Sequence, residues 1–247
     1  MEGFDQVVGK LYRAAGSIKP EAFRRYALTL LAELIDFDGI LWGTGNLESD
    51  AFHSVDVLGL EDGYPLALAK TKDDNRIYAA YKKTPGVPVD MSDVYSDNDF
   101  YGSELYLKLY AKFGIERILG CILSDEQSGI TTLICLYRFE QEKVFSQQDR
   151  DLLQRLTFHL VNAASYAYFL HLKMQTQPSP GVAVAICDNH GLFFEVQPEF
   201  LELIKDYFPE HSIPRLPFTL HVESTLKAGK MEGKLLEDRL CLAVEPL

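Results

Sequence analysis

One long amphipathic segment, residues 147–174, most constrains what this chain can fold into. At 1.5 Å per residue it predicts a helix roughly 42 Å long. Ser146 is a candidate N-cap, and Asp149 follows three residues later, as in a variant of the capping box. The helix is longer than one small sheet needs, so a further partner is expected along it. Its apolar stripe consists of Leu152, Leu153, Leu156, Leu160, Ala163, Ala164 and Ala167.

Helices and strands alternate before this segment in a pattern typical of an α+β fold. Residues 4–15 place apolar side chains at helical spacing, and a second helix is predicted to start near Pro20. A helix is also predicted over residues 103–113. Strands are predicted at residues 37–42, 51–58, 116–124 and 130–139. This order predicts an antiparallel sheet with flanking helices and a long closing helix.

The composition changes after the long helix. Residues 175–181 (QTQPSPG) have the composition of a linker. Beyond them, VAVAIC, a DNHG turn, another short strand and a helix over residues 198–208 predict a small α/β unit. The predicted organisation is a domain at 1–174, a linker at 175–181 and a small segment at 182–247.

Charge and motifs exclude several classes of function. The net charge is −12, which disfavours this chain as a broad nucleic-acid binder and disfavours anionic membrane surfaces as partners. No run of about 18 apolar residues predicts a membrane span. Nucleotide-binding, zinc-protease, hydrolase and kinase motifs are absent from the sequence. The six histidines and four cysteines lack ligand spacing, so neither a metal nor a cofactor is expected.

Two motifs carry a resemblance to a known family. F-S-x-x-D-R-x-L-L-x-R-L-x-x-H-L-x-x-A, at Phe145–Ala163, is similar to the end of the regulatory domain of bacterial LuxR-type transcriptional regulators. The D-x-x-G turn between apolar strands, followed by Arg215-Leu216-Pro217, is similar to the PAS-like segment found next in that group. The resemblance implies a GAF-like sensor domain with a small C-terminal PAS-like segment.

Two departures limit what this resemblance implies. Regulators of this group end in a helix-turn-helix, whereas this sequence stops at Leu247. Contact with DNA is therefore expected only through a module absent from this chain, whether the chain is a piece or a natural protein without that module. The Trp-x3-Tyr-x2-Asp pattern of acyl-homoserine-lactone receptors is also absent, since no tyrosine stands four residues after Trp42.

A tyrosine-rich, poorly periodic segment, residues 61–102, is the candidate ligand site. Aromatic rings offer apolar area together with a phenol that can hydrogen-bond. In a GAF-like domain the ligand would lie between the sheet and this segment; the alternative is that the rings only fill the core beneath a long loop. The candidate ligand-binding residues are Trp42, Tyr64, Tyr78, Tyr81, Asp93, Tyr95, Tyr106, Tyr110 and Cys121.

The sequence leaves three functions open. The first is a cytoplasmic sensor that binds a small molecule and forms a homodimer through helices 4–15 and 147–174, as the resemblance implies. The second is a GAF-like, thiol-dependent reductase of a small oxidised thioether, which would use Cys121 or Cys135 as possible cross-strand neighbours. The third is a dimerising adaptor without a ligand.

Overall fold

The computed structural model describes residues 2–46, 51–176, 183–187, 191–211, 214–218 and 240–244. Its helices are α1 Glu2–Ala15, α2 Pro20–Leu31, α3 Tyr64–Ala69, α4 Arg76–Lys83, α5 Asp97–Tyr101, α6 Glu104–Lys108, α7 Gln147–Thr176 and α8 Pro198–Tyr207. Its strands are β1 Gly39–Asn46, β2 Ala51–Leu58, β3 Val89–Asp90, β4 Arg117–Ser124, β5 Ile130–Arg138, β6 Ala183–Cys187, β7 Phe193–Val196 and β8 Leu240–Val244. The α+β class predicted from the sequence is confirmed.

The main sheet has five strands in the order β2-β1-β5-β4-β3, and every pair is antiparallel. The prediction that the first strand ends at residue 42 is wrong, because β1 continues through Gly43 and Gly45 to Asn46. A Cβ at Gly43 would lie 2.8 Å from the ring of Phe52. This glycine therefore allows a close approach within the sheet instead of ending the strand.

The sheet separates two apolar layers, because successive strand residues point to opposite faces. On one face, Ile40 and Trp42 of β1 pack with α1, α2 and α7 in what we call the helical layer. On the other, Leu41 packs with α3 to α6 and the turns between them, which we call the cap layer.

The cap layer contains the tyrosine-rich segment of the sequence, and it is built from four short helices, three of which have side-chain caps. The side chains of Asn75, Ser96 and Ser103 accept backbone N–H groups at the starts of α4, α5 and α6. The prediction of one helix over residues 103–113 is wrong. The backbone breaks at Leu109 (φ −118°, ψ −75°), which places both Leu109 and Tyr110 in the interior.

The long closing helix is confirmed, with its end at Thr176. Ser146 Oγ accepts the Asp149 amide at 3.1 Å, and Asp149 Oδ2 accepts the Ser146 amide at 2.8 Å, so the predicted capping box forms. The apolar stripe of α7 is buried against α1, α2 and the sheet. Within the described part of the chain, no helix combines the length and apolar character needed to cross a membrane.

A second sheet, β7-β6-β8, covers part of the remaining length of α7. Strands β6 and β7 are antiparallel, whereas β6 and β8 are parallel. One face packs on α8, and the other brings Phe194 to Tyr168 of α7, with ring centroids 6.4 Å apart. Residues 188–190 of the predicted DNHG turn and 177–181 of the predicted linker lie outside the described residues.

Candidate functional site

A cavity of about 450 Å³ lies between the main sheet and the cap layer. Strands β1, β2, β4 and β5 form its floor and one side, and α3 and α4 form its roof. The volume falls within the usual range for small-molecule sites, and most of the wall is apolar. The lining residues are Leu41, Phe52, Val55, Pro65, Leu66, Leu68, Ala69, Lys72, Asn75, Tyr78, Tyr81, Tyr110, Ile118, Leu133, Cys135 and Tyr137.

The position of the Tyr81 ring depends on a glycine in the sheet. A Cβ at Gly120 would lie 2.4 Å from Tyr81 Oη and 2.7 Å from Cys135 Sγ. The bare backbone of β4 thus lets the buried phenol lie directly against the strand. This close approach leaves the space in front of the ring as part of the cavity.

Gly120→Ala is expected to destabilise the protein by about 1–3 kcal/mol, because the added methyl must displace Tyr81. Without the clash, alanine in a strand would be the more favourable residue. Thermal unfolding measures the effect, with Gly63→Ala as control, because a Cβ at Gly63 has no neighbour closer than 4.0 Å. Equal melting temperatures for the two variants would contradict this role of Gly120.

Few polar side chains line the cavity: Lys72, Asn75, Cys135 and the tyrosines. Hydrogen bonds hold several of them in place. Asn75 Oδ1 caps α4, while its Nδ2 donates to Tyr110 Oη at 3.1 Å. Cys135 Sγ donates to Tyr81 Oη at 3.7 Å. Burial raises the pKa of Tyr81 and of Tyr110, so both phenols stay neutral at physiological pH. The site can therefore offer neutral hydrogen-bonding groups in an apolar surround.

The structure brings together six of the predicted site residues on the cap side of the sheet. Tyr78, Tyr81 and Tyr110 line the cavity. The remaining three pack behind the wall: Tyr64 against the Tyr137 ring at 5.3 Å, Tyr95 beneath Arg76 at 4.6 Å, and Tyr106 with a hydrogen bond to Glu116 at 2.9 Å.

Asp93, another predicted site residue, binds the closing helix and does not line the cavity. Its carboxylate accepts Arg150 Nη1 at 2.5 Å and the Asp90 amide at 2.8 Å. Burial alone would raise the pKa of this carboxyl, but the hydrogen bonds from Arg150 and Asp90 lower it below its ordinary value. Asp93 thereby connects the cap layer to α7.

Trp42 and Cys121 lie on the opposite face of the sheet, within the helical layer. Both pair with Ile134 across the sheet, whereas Cys135 pairs with Gly120. The expectation that Cys121 and Cys135 are cross-strand neighbours is therefore wrong. A register offset of one residue sends their thiols to opposite faces.

Sequence reasoning missed several apolar lining residues, among them Leu41, Phe52, Leu133 and Tyr137. Their signal was the two-residue alternation along β1, β2 and β5, which identifies a shared face but not which face adjoins the cap. Among the described residues, no group of three or more His, Cys, Asp or Glu is placed to hold a metal ion.

Neither protein-family models nor curated proteins give a match to this chain. Among solved structures, Escherichia coli SdiA in complex with octanoyl-rac-glycerol is 13% identical with a TM-score of 0.50, over 73% of this chain and 71% of that one. The N-acylhomoserine-lactone-dependent LuxR-family transcription factor CepR2 from Burkholderia cenocepacia is 14% identical with a TM-score of 0.49, over 70% and 99%.

A GAF domain from a Coxiella burnetii phosphoenolpyruvate-protein phosphotransferase is 12% identical with a TM-score of 0.43, over 70% of this chain and 97% of that one. The likeness to SdiA shows a common fold. The resemblance to LuxR-type regulatory domains is thus confirmed at the level of the fold.

Proposed function

We propose that this chain is the small-molecule-sensing part of a LuxR-type transcriptional regulator, with its ligand in the cavity between the main sheet and the cap layer. The observation that carries the proposal is an apolar cavity of about 450 Å³ bounded by buried tyrosines on the fold of a ligand-binding regulatory domain. Because short helices of the cap form its roof, occupancy can change the packing of the cap against the sheet. A ligand that favours one such packing shifts the population of states.

The wall of the cavity indicates the chemistry of the ligand. Apolar side chains dominate, and the phenols of Tyr81 and Tyr110 supply neutral polar contacts. This arrangement suits a molecule with an apolar body and an uncharged, hydrogen-bonding head. The octanoyl-rac-glycerol bound by the fold neighbour SdiA has this character, which supports an amphiphile as the ligand here.

A thermal-shift panel tests the proposal. It contains octanoyl-rac-glycerol, octanoate, octanamide and dodecanoyl-rac-glycerol, with glycerol alone as the control. A ligand at about 100 times its Kd adds about 2.7 kcal/mol to stability. In a chain of this size, that gain in the free energy of unfolding corresponds to a rise in melting temperature of about 5–10 °C. If no amphiphile raises the melting temperature above the value measured with glycerol alone, the proposed ligand class is wrong.

The reductase hypothesis has less support than the sensor. Cys135 does line the cavity, but burial raises the pKa of its thiol to about 12. Burial likewise raises the pKa of Cys121 to about 11, and that thiol lies on the other face of the sheet. A thiol needs its thiolate form to act as a nucleophile, and here that form is scarce at neutral pH.

Cys135 is expected to resist iodoacetamide at pH 7.5 in the folded protein and to react quickly in guanidinium chloride. Peptide mass spectrometry, which follows each cysteine separately, measures both rates. The raised thiol pKa and the burial act together, so native alkylation should be slower by at least about 100-fold. If Cys135 of the native protein reacted as fast as it does in guanidinium chloride, the reductase hypothesis would regain support.

Dimerisation through α1 and α7 stays part of the proposal. The inner faces of these helices pack on each other within one chain, so a dimer contact would use their outer faces. Phe158 and Tyr166 on α7 are large and exposed, which supports this role. Sedimentation velocity of Phe158→Glu and Tyr166→Glu tests it: a monomeric variant beside a dimeric parent supports the contact, and a monomeric parent contradicts it.

A further inference from the structure

A second cavity of about 450 Å³ lies on the opposite face of the main sheet from the first. We call it the junction cavity, because it lies where the main sheet, α7 and the C-terminal sheet meet. Helix α2 and strand β1 form one wall, α7 another, the β4–β5 hairpin a third and β7 the fourth. Its lining includes charged side chains of both signs, namely Arg24, Asp125 and Glu195.

The wall formed by α2 and β1 has a surplus of hydrogen-bond donors. Arg24 is 5% exposed; its Nη1 donates to Ser54 at 2.7 Å and pairs with Asp56 at 3.0 Å, and its Nη2 donates to Thr44. A guanidinium has five N–H groups. The contacts with Ser54, Asp56 and Thr44 engage three of them, which leaves Arg24 capacity to donate to a bound acceptor.

Trp42 adds one further donor to this wall. Its side chain is 1% exposed and lies beneath Arg24, with 5.0 Å from the guanidinium carbon to the ring centroid. Its buried Nε1 has no hydrogen-bond partner in the described part of the chain. A buried donor left unpaired costs free energy, so a bound acceptor would be stabilising here.

The wall formed by β7 carries a hydrogen-bond acceptor instead of donors. Glu195 of β7 lines the junction cavity together with Ser165 of α7, and the cavity's other charged side chains are Arg24 and Asp125. Burial raises the pKa of this carboxyl to about 8, more than Ser165 and Arg24 lower it. The carboxyl is thus placed in a setting that lacks a sufficient counter-charge.

Apolar surface completes the junction cavity. Phe158 and Val161 of α7 and Phe194 of β7 contribute to its lining, along with the ring of Tyr168. A simple anion in this space would meet Glu195, and a simple amine would meet Arg24. A small zwitterion with an apolar group satisfies both walls and fills the space between them.

We propose that the junction cavity binds a free α-amino acid with an apolar or aromatic side chain. Its carboxylate accepts from Arg24 and Trp42, and its ammonium group donates to Glu195. Its side chain packs among Val161, Tyr168 and Phe194. Because this ligand contacts both the main sheet and the C-terminal sheet, its occupancy stabilises their association.

This second site is independent of the proposed function of the first cavity, since the sheet separates the two. Isothermal titration calorimetry with L-phenylalanine and L-leucine tests it directly. The matched probes are 2-phenylethylamine, which lacks the carboxylate, and 3-phenylpropionate, which lacks the ammonium group. We expect one of the amino acids to bind, and the two single-charge probes to bind at least about tenfold more weakly, equivalent to about 1.4 kcal/mol.

Variants locate the binding. Glu195→Gln is expected to lower the affinity for the amino acid at least about tenfold. Glu199→Gln, which changes an exposed acid at the start of α8, should leave the affinity unchanged. The proposal is overturned if neither amino acid binds, if a single-charge probe binds equally well, if Glu195→Gln retains full affinity, or if Glu199→Gln weakens binding as much as Glu195→Gln does.

Discussion

Replacing Leu133 by tryptophan is expected to weaken the binding of the amphiphile in the first cavity about 10- to 100-fold, while the chain remains folded. Leu133 is buried on β5 and its side chain forms part of the cavity floor. The larger indole enters the space that the ligand would occupy. Overpacking in the presence of the ligand then costs about 1–3 kcal/mol, and each 1.4 kcal/mol is a factor of ten in affinity.

Leu107→Trp is the matched control for this substitution. Leu107 lies on α6 and is exposed, so the same indole is added away from the cavity. Calorimetric titration with the best amphiphile of the panel compares the two variants with the parent. Equal affinities for Leu133→Trp and the parent would mean that the ligand binds elsewhere.

Glu195→Gln is expected to stabilise the protein increasingly as the pH rises from about 5 to about 8. The folded-state pKa of this carboxyl is raised to about 8, so the unfolded chain gives up the proton first. The stability that the protonated form provides is complete below the ordinary glutamate pKa and is lost as the pH rises through about 8. One pKa unit corresponds to about 1.4 kcal/mol, so the difference reaches a few kcal/mol above pH 8.

Urea unfolding of the parent and the variant at several pH values measures this difference. Other titrating groups affect both proteins equally and cancel in the comparison. Glu199→Gln, at an exposed acid of the C-terminal unit, is measured beside it as the control. A difference between Glu195→Gln and the parent that stays constant from pH 5 to pH 8 would show that Glu195 is not desolvated at the junction.

Local signals in the sequence were sufficient to predict the closing helix. Ser146 and Asp149, only three positions apart, mark where the helix starts. The capping box consists of the two hydrogen bonds between them. The antiparallel sheet was likewise predictable from two strands joined by a short hairpin at residues 125–129. The cap layer was identified by its tyrosines, although the starts of α4, α5 and α6 could be placed only by recognising Asn75, Ser96 and Ser103 as caps.

The faces of the sheet could not be predicted, because they depend on register. Cys121 and Cys135 are both buried strand residues, yet the pairing of Cys135 with Gly120 places them on different sides. Trp42 was assigned to the ligand site, but its alternation with Leu41 places it in the helical layer. The junction cavity was beyond prediction for a related reason: Arg24 and Glu195 lie 171 positions apart and meet only through tertiary packing.

The central claim is that the space between the main sheet and the cap layer holds a small amphiphilic molecule. A crystal structure of the chain grown with octanoyl-rac-glycerol tests it most directly. We expect electron density for the acyl chain among Leu41, Leu133 and Tyr78, with the glycerol head near the phenols of Tyr81 and Tyr110. A cavity closed by the collapse of these rings onto each other, or density for the amphiphile at another place alone, would contradict the claim.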